Sequence, residues 1–100
     1  MNIIYRKAAI DDLSELDAYI TNQFHNSNSG RKIIKRITDT ISLLKSNPNL
    51  GPKLSDRFKV KSTLHYLVVS KQIVFYDIKE ETIEIIRVLD SRQDYISILF

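Results

Sequence analysis

The spacing of apolar residues changes along this chain from a helical period to a strand period. Residues 2–7 are predicted to form a short first strand. Beyond it, apolar side chains recur every three or four positions, which predicts two amphipathic helices: Ile10, Leu13, Leu16, Ile20 and Phe24, then Ile33, Ile37, Ile41 and Leu44. The polar link at 26–30 is short, so we expect an antiparallel helical hairpin that ends before Pro48, whose ring opposes continuation of a helix.

From Arg57 onward, β-branched and aromatic residues form runs separated by short polar segments. The runs are 58–60, 64–69, 73–78 and 83–89, and they predict antiparallel strands joined by tight turns, with a sheet edge near residues 57–61. Several runs are apolar on both faces, so we expect the helical hairpin to cover one face of the sheet. A partner or the C-terminal segment should cover the other face. The predicted fold is α+β: a short N-terminal strand, an α-helical hairpin and an antiparallel β-meander.

Length and composition predict one domain over residues 1–100, with a core that needs no covalent staples. The chain has no cysteine, which excludes a disulfide scaffold. An N-terminus without a long apolar region, and the absence of an apolar run near 20 residues, predict a cytoplasmic protein with no membrane partner.

Charge is unevenly distributed along the chain. Residues 31–61 hold nine Lys or Arg against two Asp and carry +7, whereas the whole chain carries +3. Clustered cations favour a polyanionic partner, because binding phosphates or acidic segments releases counterions. The alternative is a solvated helix face followed by a lysine-rich edge strand.

Residues 87–95 hold two arginines, two aspartates and a tyrosine, which a hydrophobic core does not require. Arg87 and Arg92 are candidate phosphate clamps, because a guanidinium donates two parallel hydrogen bonds to phosphate oxygens. Tyr95 is a candidate for orienting or protonating a substrate. Structural alternatives remain open for all three: Arg87 paired with Asp77 or Asp90, Arg92 paired with Asp94, and Tyr95 as a half-buried anchor of the C-terminal tail.

His65 is a further candidate, because a neutral imidazole can act as a general base. It is equally interpretable as a strand residue whose ring is hydrogen-bonded among apolar neighbours. The sequence contains no His/Cys/carboxylate cluster at metal spacing, no glycine-rich phosphate loop and no CxxC. We therefore expect no metal and no cofactor, and an enzyme of this sequence would be metal-free and phosphate-directed.

Four segments in a fixed order resemble one family of proteins: Tyr5 to Leu13 with Tyr19-Ile20, Asn47-Pro48-x-Leu50-Gly51, Val74-Phe75-Tyr76-x-Ile78, and Ile86-Arg87-Val88-Leu89-Asp90-x-Arg92-Gln93-Asp94-Tyr95 with Leu99-Phe100. The chain resembles the RelE/ParE superfamily, the toxins of bacterial type II toxin–antitoxin modules of the plasmid stabilisation type. The resemblance implies a toxin that a cognate antitoxin, acidic and partly disordered, holds inactive.

The superfamily divides by target, and the resemblance alone leaves open whether this chain is an enzyme. ParE-like members inhibit DNA gyrase, whereas RelE-like members cut mRNA on the ribosome with Lys, Arg and Tyr. Many relatives carry Arg at the place of His65, so this substitution favours the ParE-like function. The basic segment, Arg87, Arg92 and Tyr95 favour the alternative, a ribosome-dependent mRNA endonuclease. A non-toxic interaction module of the same fold is the third hypothesis.

Overall fold

The structure is a computed structural model that describes residues 1–100. Its regular elements, in chain order, are β1 (Asn2–Tyr5), α1 (Lys7–Phe24), α2 (Ser27–Ser42), β2 (His65–Val69), β3 (Gln72–Lys79), β4 (Thr82–Asp90) and α3 (Tyr95–Leu99). Three short 3-10 turns lie between α2 and β2, at Leu43–Lys45, Pro48–Leu50 and Leu54–Asp56. The predicted α+β fold of strand, helical hairpin and antiparallel meander is confirmed.

The four strands form one sheet in the order β1-β4-β3-β2. β2, β3 and β4 are antiparallel neighbours, and β1 lies parallel to β4 with Asn2 opposite Thr82. Two-residue turns join the meander. Ser70 and Glu80 open these turns with φ values of 56° and 28°, the positive φ that tight hairpins need because it matches the twist of the strands.

The predicted strand near residues 57–61 is wrong. Residues 57–64 are irregular, and the backbone bonds around Phe58 and Val60 are local, from Phe58 N–H to Leu54 O and from Val60 N–H to Phe58 O. The alternation of Phe58 and Val60 reflects one-sided burial against the sheet, without a neighbouring strand to form a ladder. The sheet edge is β2, whose first residue His65 is bridged by Lys53.

Each face of the sheet carries its own hydrophobic core. On one face the helical hairpin covers the sheet, with fully buried Ile37, Ile41 and Leu44 packed against Tyr76 and Ile85. On the opposite face, the sheet residues Ile73, Phe75 and Leu89 are buried under the segment before β2 and the C-terminal segment. The other side chains of this second core are Leu54, Phe58, Val60, Leu64, Tyr66, Tyr95, Ile96 and Leu99. The two-sided cover expected from the sequence is confirmed, and the chain itself supplies both sides.

The junction between α1 and α2 is short and closely packed. α1 ends at Phe24 and is followed by the capping residue His25, which adopts the left-handed conformation with φ 49°, and Asn26 caps α2 by accepting a hydrogen bond from Asn28 N–H at 2.9 Å. Gly30 allows the helices to approach, because a Cβ at this position would lie 2.1 Å from Asp17 Oδ1 and 3.0 Å from its carbonyl oxygen.

A three-residue ion cluster ties the N-terminal strand to the meander. Glu84 on β4 accepts Arg6 Nε at 2.8 Å and contacts Lys79 Nζ at 2.8 Å. Hydrogen bonds from Lys79 and then Arg6 lower the pKa of the Glu84 carboxyl.

No helix is both long enough and apolar enough to cross a membrane.

Candidate functional site

The candidate site begins where β4 extends beyond the end of its neighbour β1. The parallel pairing ends with Tyr5 opposite Ile85, so on this side the second half of β4 lies beside α1, while its other side remains paired with β3. At the same point a bulge leaves Ile86 without a partner on β3. Bulges change the direction of the side chains that follow, and the next residue is Arg87.

Asp12 of α1 binds both the side chain and the backbone of this free edge. Arg87 donates to it through Nε and Nη2, each at 2.8 Å, and Val88 N–H donates to Oδ2 at 2.9 Å. The Asp12 side chain is 9% exposed and that of Arg87 is 30% exposed. The hydrogen bonds to Asp12 raise the pKa of Arg87, with a smaller electrostatic contribution from Glu15. Asp12 thus provides a hydrogen-bond acceptor for Val88 N–H on the edge of β4 that β1 leaves unpaired.

Arg92 forms a second fork with a carboxylate at the end of β4. Its Nε and Nη2 each donate to Asp90 at 2.9 Å, and its backbone N–H donates to Asp90 Oδ1 at 2.8 Å. These bonds lower the pKa of Asp90, although the Arg92 side chain is 74% exposed. The structure corrects the partners in both structural alternatives considered from the sequence: Arg87 binds Asp12 instead of Asp77 or Asp90, and Arg92 binds Asp90 instead of Asp94.

A cleft of about 510 Å³ runs between α1 and the second half of β4. Both arginines line it, and so do three carboxylates: Asp12, Glu15 and Asp90. Its remaining lining residues are Leu16, Tyr19, Gln72, Val88, Leu89 and Gln93. Three carboxylates against two guanidinium groups give the cleft an excess of one negative charge.

Tyr95 does not line this cleft. Its ring lies on the opposite face of the sheet, 5.8 Å from the Phe58 ring in an edge-to-face arrangement and 5.4 Å from the Phe75 ring. Aromatic pairs in these geometries stabilise a packed core. This placement is the one expected of an anchor for the C-terminal tail.

His65 is also remote from the cleft, in a buried network around Gly51. Its side chain stacks on Tyr76 with ring centroids 5.2 Å apart, and its Nδ1 lies 2.7 Å from Gly51 O. A carbonyl oxygen only accepts, so Nδ1 carries the proton. The Tyr76 hydroxyl accepts from Gly51 N–H at 2.9 Å and donates to Pro48 O at 2.8 Å. His65 and Tyr76 therefore fix the 48–51 turn to the sheet.

Comparison with known proteins places the chain in a family. A sequence model of the family described as "ParE toxin of type II toxin-antitoxin system, parDE" matches residues 3–95. This chain is a member of the ParE toxin family. The superfamily resemblance read from the sequence is therefore confirmed.

A solved structure has the fold of this ParE family member. A chain from "Chromosomal ParDE TA system from P. aeruginosa" superposes with a TM-score of 0.76 at 15% sequence identity, over 90% of this chain and 95% of that chain. A search of curated protein sequences found no significant match.

In this ParE family member, the four predicted site residues fall into three places. Only Arg87 and Arg92 share the cleft, while Tyr95 and His65 contribute to packing and hydrogen bonding elsewhere. Sequence reasoning missed the α1 side of the cleft, because carboxylates in the opening turns of a helix are ordinarily explained by its dipole. A helical signal was nevertheless present: Asp12, Glu15, Leu16 and Tyr19 are spaced to share one helix face.

Proposed function

We propose that this chain is the toxin of a toxin–antitoxin pair and acts by direct contact with a target protein, DNA gyrase, without chemistry of its own. Residues 1–100 would form a single toxin domain acting in the cytoplasm. The observation that carries the proposal is that both arginines in the cleft already hold carboxylates in two-bonded forks.

RNA cleavage makes demands that this arrangement does not meet. Cutting through a 2′-hydroxyl requires a base, an acid and cations grouped around one phosphate. In this chain the cleft has excess negative charge. A phosphate would have to compete with Asp12 and Asp90 for the arginines, while Tyr95 and His65 lie elsewhere. Contact with a protein needs no such convergence.

An acidic antitoxin is supported by the distribution of unpaired cations. Of the nine Lys and Arg in residues 31–61, only Lys35 has an ion-pair partner, Asp39 at 2.7 Å. The other eight are all exposed and lie in two groups, one on and just after α2 and one in the segment before β2 on the other face of the sheet. Together we call them the basic surface: Arg31, Lys32, Arg36, Lys45, Lys53, Arg57, Lys59 and Lys61. A disordered acidic segment that folds on binding would gain affinity from neutralising these charges.

The alternative function, a ribosome-dependent mRNA endonuclease, is favoured by one part of the basic surface. The Arg57 guanidinium lies 5.7 Å from the centre of the Phe58 ring and 6.0 Å from that of Tyr66. Cations beside aromatic rings are typical of surfaces that bind single-stranded nucleic acid. Only in this alternative would Arg87, Arg92, Tyr95 and His65 keep their predicted catalytic roles, and they would have to be brought together by rearrangement on the ribosome.

Two experiments distinguish the two functions: expression of the chain in a bacterial host, and a supercoiling assay of gyrase with the purified protein. We expect loss of plasmid supercoiling and of DNA synthesis, with transcripts intact. Transcripts cut within codons, with supercoiling unaffected, would refute the gyrase proposal and establish the alternative. Full growth of the host, with no effect in either assay, would support the non-toxic interaction module.

A further inference from the structure

One carboxylate in the cleft has no counter-ion. Asp12 is bound to Arg87, Asp90 to Arg92 and, outside the cleft, Asp11 to Lys7. Glu15 takes part in no ion pair, although it lines the cleft and is exposed. It lies close enough to raise the pKa of Arg87, whose fork is already filled by Asp12. The excess negative charge of the cleft is therefore located at Glu15.

The surroundings of Glu15 suit both the aliphatic stem and the charged head group of a lysine or arginine side chain. Tyr19 follows one turn later on the same helix face, lines the same cleft and is 59% exposed, so its ring is available to an incoming side chain. Leu16 and Val88 supply apolar lining. Lysine and arginine bury an aliphatic stem against apolar surface while the charged head contacts a carboxylate or an aromatic face.

We propose that this cleft receives a lysine or arginine side chain from the target protein, with Glu15 as its counter-ion and Tyr19 as the aromatic wall. The inference rests on the proposed function, action by protein contact on gyrase. The charge of the cleft argues against an acidic antitoxin segment as its occupant, since Glu15 would repel it. The basic surface suits such a segment instead, so target and antitoxin would use surfaces of opposite sign.

The test is inhibition of supercoiling by purified gyrase, titrated with the wild-type chain and three variants. Removing the charge in Glu15→Gln should raise the half-inhibitory concentration roughly threefold, as for a partly exposed ion pair. Reversal in Glu15→Lys should raise it on the order of tenfold or more, because attraction becomes repulsion. Asp11→Lys is the matched control, with the same change in net charge on the same helix but outside the cleft, and should stay within about twofold of wild type.

A second readout separates a local contact from a general charge effect. Added salt should weaken wild-type inhibition more than inhibition by Glu15→Gln, because the screened pair is absent from the variant. Circular dichroism should show unchanged folding, since Glu15 is exposed. Inhibition by Glu15→Lys equal to that of the wild type, or an equal loss in Asp11→Lys, would overturn the inference and leave the gyrase proposal standing. Failure of the wild-type chain itself to inhibit gyrase would refute the proposed function and this inference together.

Discussion

Replacing Asp12 by alanine should destabilise the fold more than any other single surface charge removal on α1. The substitution removes three hydrogen bonds, two from Arg87 and one from Val88 N–H. It leaves a guanidinium and a strand amide without a protein partner beside the end of β1. The adjacent residue Asp11 provides the comparison, because it forms an ion pair with Lys7 on the same helix.

The magnitude follows from the exposure of the two partners. A hydrogen bond to a charged group contributes about 1.5–3 kcal/mol when it is sheltered, but Arg87 is 30% exposed and can recover solvent contacts. We therefore expect a coupling free energy between Asp12 and Arg87 of about 1–2 kcal/mol. The unpaired Val88 N–H adds about 1 kcal/mol to the effect of Asp12→Ala alone.

The assay is a double-mutant cycle measured by urea unfolding of the wild type, Asp12→Ala, Arg87→Ala and the double variant. The same cycle on Lys7 and Asp11, whose side chains are 90% and 55% exposed, should give about 0.3–0.5 kcal/mol. A coupling at Asp12 and Arg87 no larger than that of the control pair would refute the interpretation that Asp12 secures the free edge of β4.

Three further predictions, the first of them a comparison of two glycines, concern stability. Gly51→Ala should cost about 1–3 kcal/mol, because its Cβ would lie 2.2 Å from the backbone oxygen of Tyr66. Gly30→Ala should cost less than Gly51→Ala, because its nearest obstacle is the Asp17 side chain, which can turn away, while the Asp17 carbonyl oxygen at 3.0 Å needs only a small shift and alanine favours the helix by about 0.8–1 kcal/mol. His25→Gly should stabilise by about 1 kcal/mol by relieving a left-handed conformation, with His25→Ala as the unrelieved control. Glu84→Gln should lower the free energy of unfolding at neutral pH. The pKa of Glu84 is lowered in the folded protein, so its ionised carboxylate stabilises the fold at pH values above the ordinary pKa of 4.5. The difference between variant and wild type should vanish as the pH falls through the lowered pKa.

Urea midpoints at several pH values measure all three. Equal costs at the two glycines would contradict the distinction between a fixed backbone obstacle and a movable side chain. A wild-type midpoint for the His25→Gly protein would show that the left-handed residue carries no strain. A difference at Glu84 that persisted unchanged into acid would mean that its packing, and not its ionised form, stabilises the sheet.

Sequence periodicity predicted the helical hairpin and the meander because each depends on local spacing. It failed at Phe58 and Val60, where alternation arises from burial of one side of an irregular segment. Alternating burial is necessary for a strand, but the hydrogen-bonded neighbour that completes it depends on the tertiary fold. For the same reason the first strand was predicted, while its parallel position beside β4 was not.

The candidate site was only half visible in the sequence. Arg87 and Arg92 stood out as charges beyond an apolar strand, but their partners depend on geometry that spacing does not encode. Asp12 reaches Arg87 because β1 ends early and the bulge at Ile86 redirects the strand. The excess negative charge of the cleft therefore depends on the packing of α1 against β4, which residue spacing does not predict.

The contact between α1 and β4 also sets when the cleft can form during synthesis. Arg6 and Glu84 are separated by 78 positions, and Asp12 and Arg87 by 75. Contacts over such separations form late, because the loop between them must be closed first. During translation the first strand and helix are made long before their partners, so the cleft cannot assemble until β4 has left the ribosome. Under the proposed function, a nascent chain could therefore not engage its target through the cleft until β1 and α1 have docked onto β4.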